Sequence, residues 1–217
     1  MRAFFTGITY LFHPFFLPML GIIIMFEMPT TPASFKRIDA LYHYDAPIKW
    51  QLYVILGVLT FAAPALSMLI MYWNKMISSL HLENKRERVY PFVLVTFYYG
   101  LAYFFLRYRM QVELQHEALM GFLFGIILTF IISFMLNFYV KVSLHAAGTF
   151  GVAATILAYN QSQIESSMWP VYALIIAGGF VAASRLYLKA HNLQETVLGM
   201  LVGFGVLYVC VANGVYI

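Results

Sequence analysis

The chain has 217 residues, of which 62% are hydrophobic and only 10% charged, with a mean hydropathy of +0.79. A soluble globule carries about a quarter charged residues, so these figures exclude one and require an integral membrane protein. The net charge of +4, from 13 basic and nine acidic residues, fits anchoring to lipid headgroups and implies no nucleic-acid partner.

A spanning helix needs about 20 mostly apolar residues. Such runs fall near residues 5–26, 50–73, 91–106, 118–139, 144–159, 169–184 and 196–214. The sequence therefore predicts an all-α, polytopic transmembrane bundle of seven spans, or six, because the third and fifth runs are short. The first run follows Arg2 and lacks a small-residue cleavage site, so it reads as a retained helix rather than a signal peptide. Pro14 and Pro18 should kink it. The longest polar stretch, Glu27 to Lys49, is too short for a separate unit, which leaves 1–217 as a single integral membrane domain.

Cys210 is the only cysteine, which excludes intramolecular disulfides and cysteine-based metal or redox motifs. Apart from Ser133, Asn137 and a few Thr the predicted spans are apolar, which argues against a channel or transporter, and no internal repeat suggests inverted halves. Gly199-x3-Gly203 and Gly205 suit close helix approach, within the bundle or, as the alternative, at a homodimer face. Trp50, Trp73 and Trp169 fall near span edges, as in an interfacial belt.

With seven spans, the loops after the second, fourth and sixth share one face with the N-terminus. They hold Lys85, Arg86 and Arg88, then Lys141, Ser143 and His145, then Arg185, Lys189 and His191. Ionisable residues beside lipid are costly, so three such clusters converging on one face point to a site. In the last cluster a helix restarting near His191 puts Glu195 one turn on, where its carboxylate can accept a hydrogen bond from the imidazole and fix its tautomer. Arg185 adds a planar fork suited to phosphate oxygens. Ser143-Leu144-His145 opens a helix, and a helix start presents free amides to an anion. The bland alternative is a set of snorkelling cations and interfacial histidines.

Ser184-Arg185, five residues, His191, three residues, Glu195 resembles the third motif of the type 2 phosphatidate phosphatase and vanadium haloperoxidase superfamily, with Glu in place of Asp. Val142-Ser143-Leu144-His145 keeps the Ser and His of the second motif, Pro-Ser-Gly-His, and loses its Pro and Gly. Lys85-Arg86-Glu87-Arg88-Val89-Tyr90-Pro91 is the nearest candidate for the first motif, with a different internal spacing. The resemblance covers a phosphatase-like core of about residues 85–200.

It implies metal-free hydrolysis of a lipid phosphate or pyrophosphate through a phosphohistidine intermediate, with no cofactor. By that analogy His191 attacks phosphorus, Glu195 holds its other ring nitrogen, and His145 serves the leaving group and then water. Arg185, Ser143 and either Lys85 or Arg88 bind phosphate. The lipid phosphate substrate and surrounding membrane lipids are the expected partners.

Two other readings remain open: a catalytically silent relative that binds lipid phosphate, and a two-His, one-carboxylate metal enzyme built from His145, His191 and Glu195. The Arg and Lys count is eight on the motif face and five on the other, nominally cytoplasmic for the motifs, but four of the eight, Lys85, Arg86, Arg88 and Arg185, fall in the candidate phosphate motifs, and without them the count decides nothing. The resemblance instead implies a bacterial inner membrane, with the site facing the periplasm.

Overall fold

A computed structural model of the protein describes residues 1–32, 40–78, 89–110 and 115–214. Among these residues the fold is helical: α1 (Arg2–Leu11), α2 (Leu17–Glu27), α3 (Ala46–Trp73), α4 (Val89–Arg109), α5 (Glu117–Leu136), α6 (Leu144–Gln161), α7 (Trp169–Tyr187) and α8 (Leu193–Ala212). Four of them, α3, α5, α7 and α8, are long and apolar enough to cross a membrane. An all-α membrane protein is therefore what the structure supports, while a count of seven spans is not established by these helices.

The first predicted span is two helices. Pro14 has no N–H to offer the carbonyl of Tyr10, which instead accepts from the His13 amide at 3.3 Å, and the chain turns through Phe12–Phe16 before α2 begins. Pro18 sits in the first turn of α2, where no intrahelical donor is lost. The expected kink is thus a break. Its consequence is that α1 does not continue α2 but packs along α7, with Phe5 against Tyr187 at 4.5 Å and Thr9 Oγ1 3.2 Å from Ser184 Oγ.

In α3 one wide π turn covers Val58–Ala62. Pro64 again explains it, because the Thr60 carbonyl loses its usual donor four residues on. The hydroxyl of buried Tyr99 on α4 donates to that carbonyl instead, at 3.3 Å.

α6 forms the centre of the bundle and is buried along most of its length. Its closest neighbour is α8, and small residues explain how near the two come. A Cβ on Gly199 would lie 2.5 Å from the Ser143 carbonyl oxygen, and one on Gly203 would overlap the Ala147 carbonyl. Gly121 meets the Cys210 carbonyl in the same way, which seats α5 on the other side of α8. Gly205 faces open space. The Gly199-x3-Gly203 spacing is therefore used inside the bundle.

At the end of α6 opposite His145, Thr30–Pro32 pairs antiparallel with Gln163–Ser166, a small two-stranded ladder that joins the end of α2 to the end of α6. Tyr159 accepts the Leu41 amide there at 3.0 Å. Trp50, Trp73 and Trp169 are all exposed on the outside of the bundle.

Candidate active site

The spacing of the last motif is that of a helix end followed at once by a helix start. At the end of α7 the Lys189 amide donates to the Leu186 carbonyl and the Ala190 amide to the Arg185 carbonyl, both at 3.0 Å. This is the Schellman pattern, and Lys189 takes the left-handed conformation it needs, with φ 54°. A non-glycine residue there costs about 1 kcal/mol. The turn delivers His191 beside Arg185, whose carbonyl also accepts the His191 amide at 3.3 Å.

Asn192 then caps α8. Its Oδ1 accepts the Glu195 amide at 2.8 Å, and Glu195 Oε2 accepts the Asn192 amide at 3.2 Å, completing a capping box. The same Oε2 lies 3.0 Å from His191 Nδ1. The side chains of this pair are only 6% and 18% exposed, so the contact is shielded from water. An ionised carboxylate can only accept, so Nδ1 carries the proton and Nε2 keeps its lone pair.

Burial holds the His191 imidazole down, to about 4, helped by the charges of Lys141 and Arg185 and opposed by Glu195. The ring is therefore neutral at pH 7, as a nucleophile must be. Since the unfolded chain would take up this proton near pH 6.5, the stability linked to His191 is present above that pH and lost as the pH falls towards 4. Histidine NMR should show His191 titrating near pH 4, and Glu195→Gln should move its midpoint lower, because the charge favouring imidazolium is gone. A midpoint at 6 or above would contradict this environment.

The second motif is tied to the third through the backbone. The Ser143 amide donates to the Glu195 carbonyl at 3.2 Å, and the Ser143 carbonyl faces Gly199. Ser143 is fully buried and caps α6, with Oγ accepting from the Ala146 amide at 3.5 Å. That cap fixes His145 in the first turn of α6, where Arg185 and His191 both act on it electrostatically. Two buried polar atoms here have no hydrogen-bond partner, Nε2 of His145 and Nε of Arg185. Unpartnered buried donors and acceptors are rare and call for an explanation, such as a ligand they both serve.

The structure therefore brings together five residues expected from the sequence: Ser143, His145, Arg185, His191 and Glu195. Lys85 and Arg88 lie outside the described residues. Sequence reasoning did not find His13, whose ring stands edge-on to that of His145 at 5.4 Å, nor Asn192 as the partner of Glu195, nor the Lys141 ammonium donating to the Ala190 carbonyl at 3.0 Å. Asn192 was legible as the residue three before Glu195, the N-cap spacing. His13 was not, since nothing in the sequence brings residue 13 to residue 145.

The two-His, one-carboxylate metal set fares poorly on donor chemistry. Glu195 is committed to the His191 ring and the Asn192 amide, and Arg185 puts a fixed cation beside them. Among the described residues no three His, Cys, Asp or Glu side chains are grouped to hold an ion.

A small cavity of about 40 Å³ lies between the helices and is lined by Pro14, Leu17, Phe122, Ile126, Leu144 and Gly148, the last two flanking His145 in α6. Its walls are apolar.

In a comparison with known proteins, residues 133–216 match the family model of the PAP2 superfamily. That segment contains Ser143, His145, Arg185, His191 and Glu195, and it agrees with the resemblance carried by the two motifs. No curated protein and no solved structure matches significantly.

Proposed function

We propose that this membrane protein with a PAP2-superfamily segment is a phosphatase acting on a lipid phosphate or pyrophosphate, through a phosphohistidine at His191. The observation that supports it most is the His191–Glu195 pair facing a site where both His145 Nε2 and Arg185 Nε lack partners. A phosphate would satisfy both atoms.

In the first step the His191 Nε2 lone pair forms a bond to phosphorus while the bond to the leaving oxygen breaks. His145, taking up a proton as the anionic phosphate enters, gives it to that oxygen. Glu195 keeps Nδ1 in place and offsets the charge that the ring acquires. In the second step His145 takes a proton from water, the hydroxide oxygen bonds to phosphorus, and the N–P bond breaks to return neutral His191 and free phosphate. Arg185, Ser143 and the free amides at the start of α6, joined by Lys85 or Arg88, hold the equatorial oxygens, since phosphoryl transfer is mostly positioning and charge stabilisation. On the analogy alone, the site faces the periplasm of a bacterial inner membrane.

The test is phosphate release in detergent from a panel of lipid phosphates and pyrophosphates, with and without EDTA, together with trapping of ³²P-labelled protein. Release that survives EDTA, with label that is acid-labile and alkali-stable, is the expected result. Release abolished by EDTA, or none from any substrate, would overturn the reading.

A further inference from the structure

One contact of His145 that the motifs do not account for is with His13. It lies far outside the matched segment 133–216, at the break between α1 and α2. We propose that His13 is a positioning residue for His145, its ring packing edge-on against the His145 imidazole and setting the direction of the unpartnered Nε2. The centroids are 5.4 Å apart and the planes cross at 84°. Edge-to-face geometry is directional, so a ring in that place restricts rotation of its neighbour.

His13 is itself well held. Its Nδ1 accepts the Phe15 amide at 3.4 Å, and its ring stands 5.1 Å from Phe15 and 6.5 Å from Phe16. The segment before it is pinned to α7 by the Thr9–Ser184 hydroxyl contact, one residue before Arg185. Arg185 from α7 and His191 from the turn after it also act on His145, and the Thr9 backbone, four residues before His13 in the same segment, hydrogen-bonds to its ring. His191 and Arg185 cannot orient His145 without their own work being compromised, since both are needed at phosphorus. An imidazole supplied by the N-terminal segment leaves them free.

The kinetic consequence rests on the phosphatase reading, whereas the contact can be tested without it. His13→Asn is the informative variant, because Asn Oδ1 can still accept the Phe15 amide and keep the turn while the ring beside His145 is lost. We would make it in the full-length protein and record the thermal midpoint, kcat and KM on the best lipid phosphate of the panel, and ¹³C NMR of histidine-labelled protein, with His145→Asn to assign the His145 signal. The expected result is an unchanged midpoint, a displaced His145 signal, kcat lowered about tenfold to a hundredfold and KM changed little, a part of the 10²–10⁴ that acid–base catalysis supplies. A wild-type kcat in His13→Asn, or an unmoved His145 signal, would overturn the proposal. If wild type released no phosphate at all, the phosphatase reading would fall, and the NMR signal would still decide whether His13 holds His145. Should His13→Asn prove unstable, His13→Gln, which also removes the ring, provides the same NMR comparison.

Discussion

His191→Ala should lower phosphate release by about 10⁴-fold or more, the size of effect seen when a covalent nucleophile is removed, because no other group takes over its bond. The ³²P label on the protein should disappear with it. His145→Ala should give a different signature: release falls, but with an aryl phosphate, whose leaving group needs no proton, labelled protein should accumulate because water is no longer activated. The two variants separate the roles that one site assigns to two imidazoles. His191 has Nδ1 tied to Glu195 and only Nε2 to offer, whereas His145 has an Nε2 with no partner. If His191→Ala retained activity within tenfold of wild type, the phosphohistidine mechanism would be untenable.

The second large effect is on stability. Gly203→Ala would place a methyl group onto the Ala147 carbonyl, and neither partner is the flexible end of a side chain, so α6 and α8 must separate. Overpacking costs about 1–3 kcal/mol and more where relief needs helix movement, so a loss of about 3 kcal/mol is expected. Gly205→Ala, two residues on, meets open space and should be neutral or gain about 0.5–1 kcal/mol from reduced backbone freedom. Thermal denaturation of both variants in one detergent is the measurement. A destabilised Gly205→Ala beside a tolerated Gly203→Ala would mean that the small-residue face is turned outward, as a homodimer would have it.

Much of the site was legible because its chemistry is local in sequence. Arg185, His191 and Glu195 are joined by one Schellman turn and one capping box, and the rules for ending and starting helices fix their spacing. Glu195 stands where the resembled motif has Asp, one methylene shorter. The structure shows a use for the extra methylene, since Oε2 meets both the His191 ring and the Asn192 amide. The relation between the two motifs was less legible. It depends on Gly199 and Gly203 meeting the carbonyls of Ser143 and Ala147, and spacing shows that such glycines permit contact but not with which helix. The fold was read well in class and less well in its first segment. Hydropathy saw Phe4 to Phe26 as one apolar run, because α1 and the turn after it are apolar, and it could not register that Pro14 divides the run. His13 came to light only through that division, which no periodicity of the sequence contains.

The Asn192–Glu195 box at the head of α8 also makes one carboxylate serve two masters. Fraying of a single helical turn would release the His191 ring while the rest of the bundle stood intact. On the proposed reading, opening of that one turn would stop the reaction before the bundle unfolds. On the same reading, whatever loosened the start of α8 would lower phosphate release with no contact to phosphorus at all.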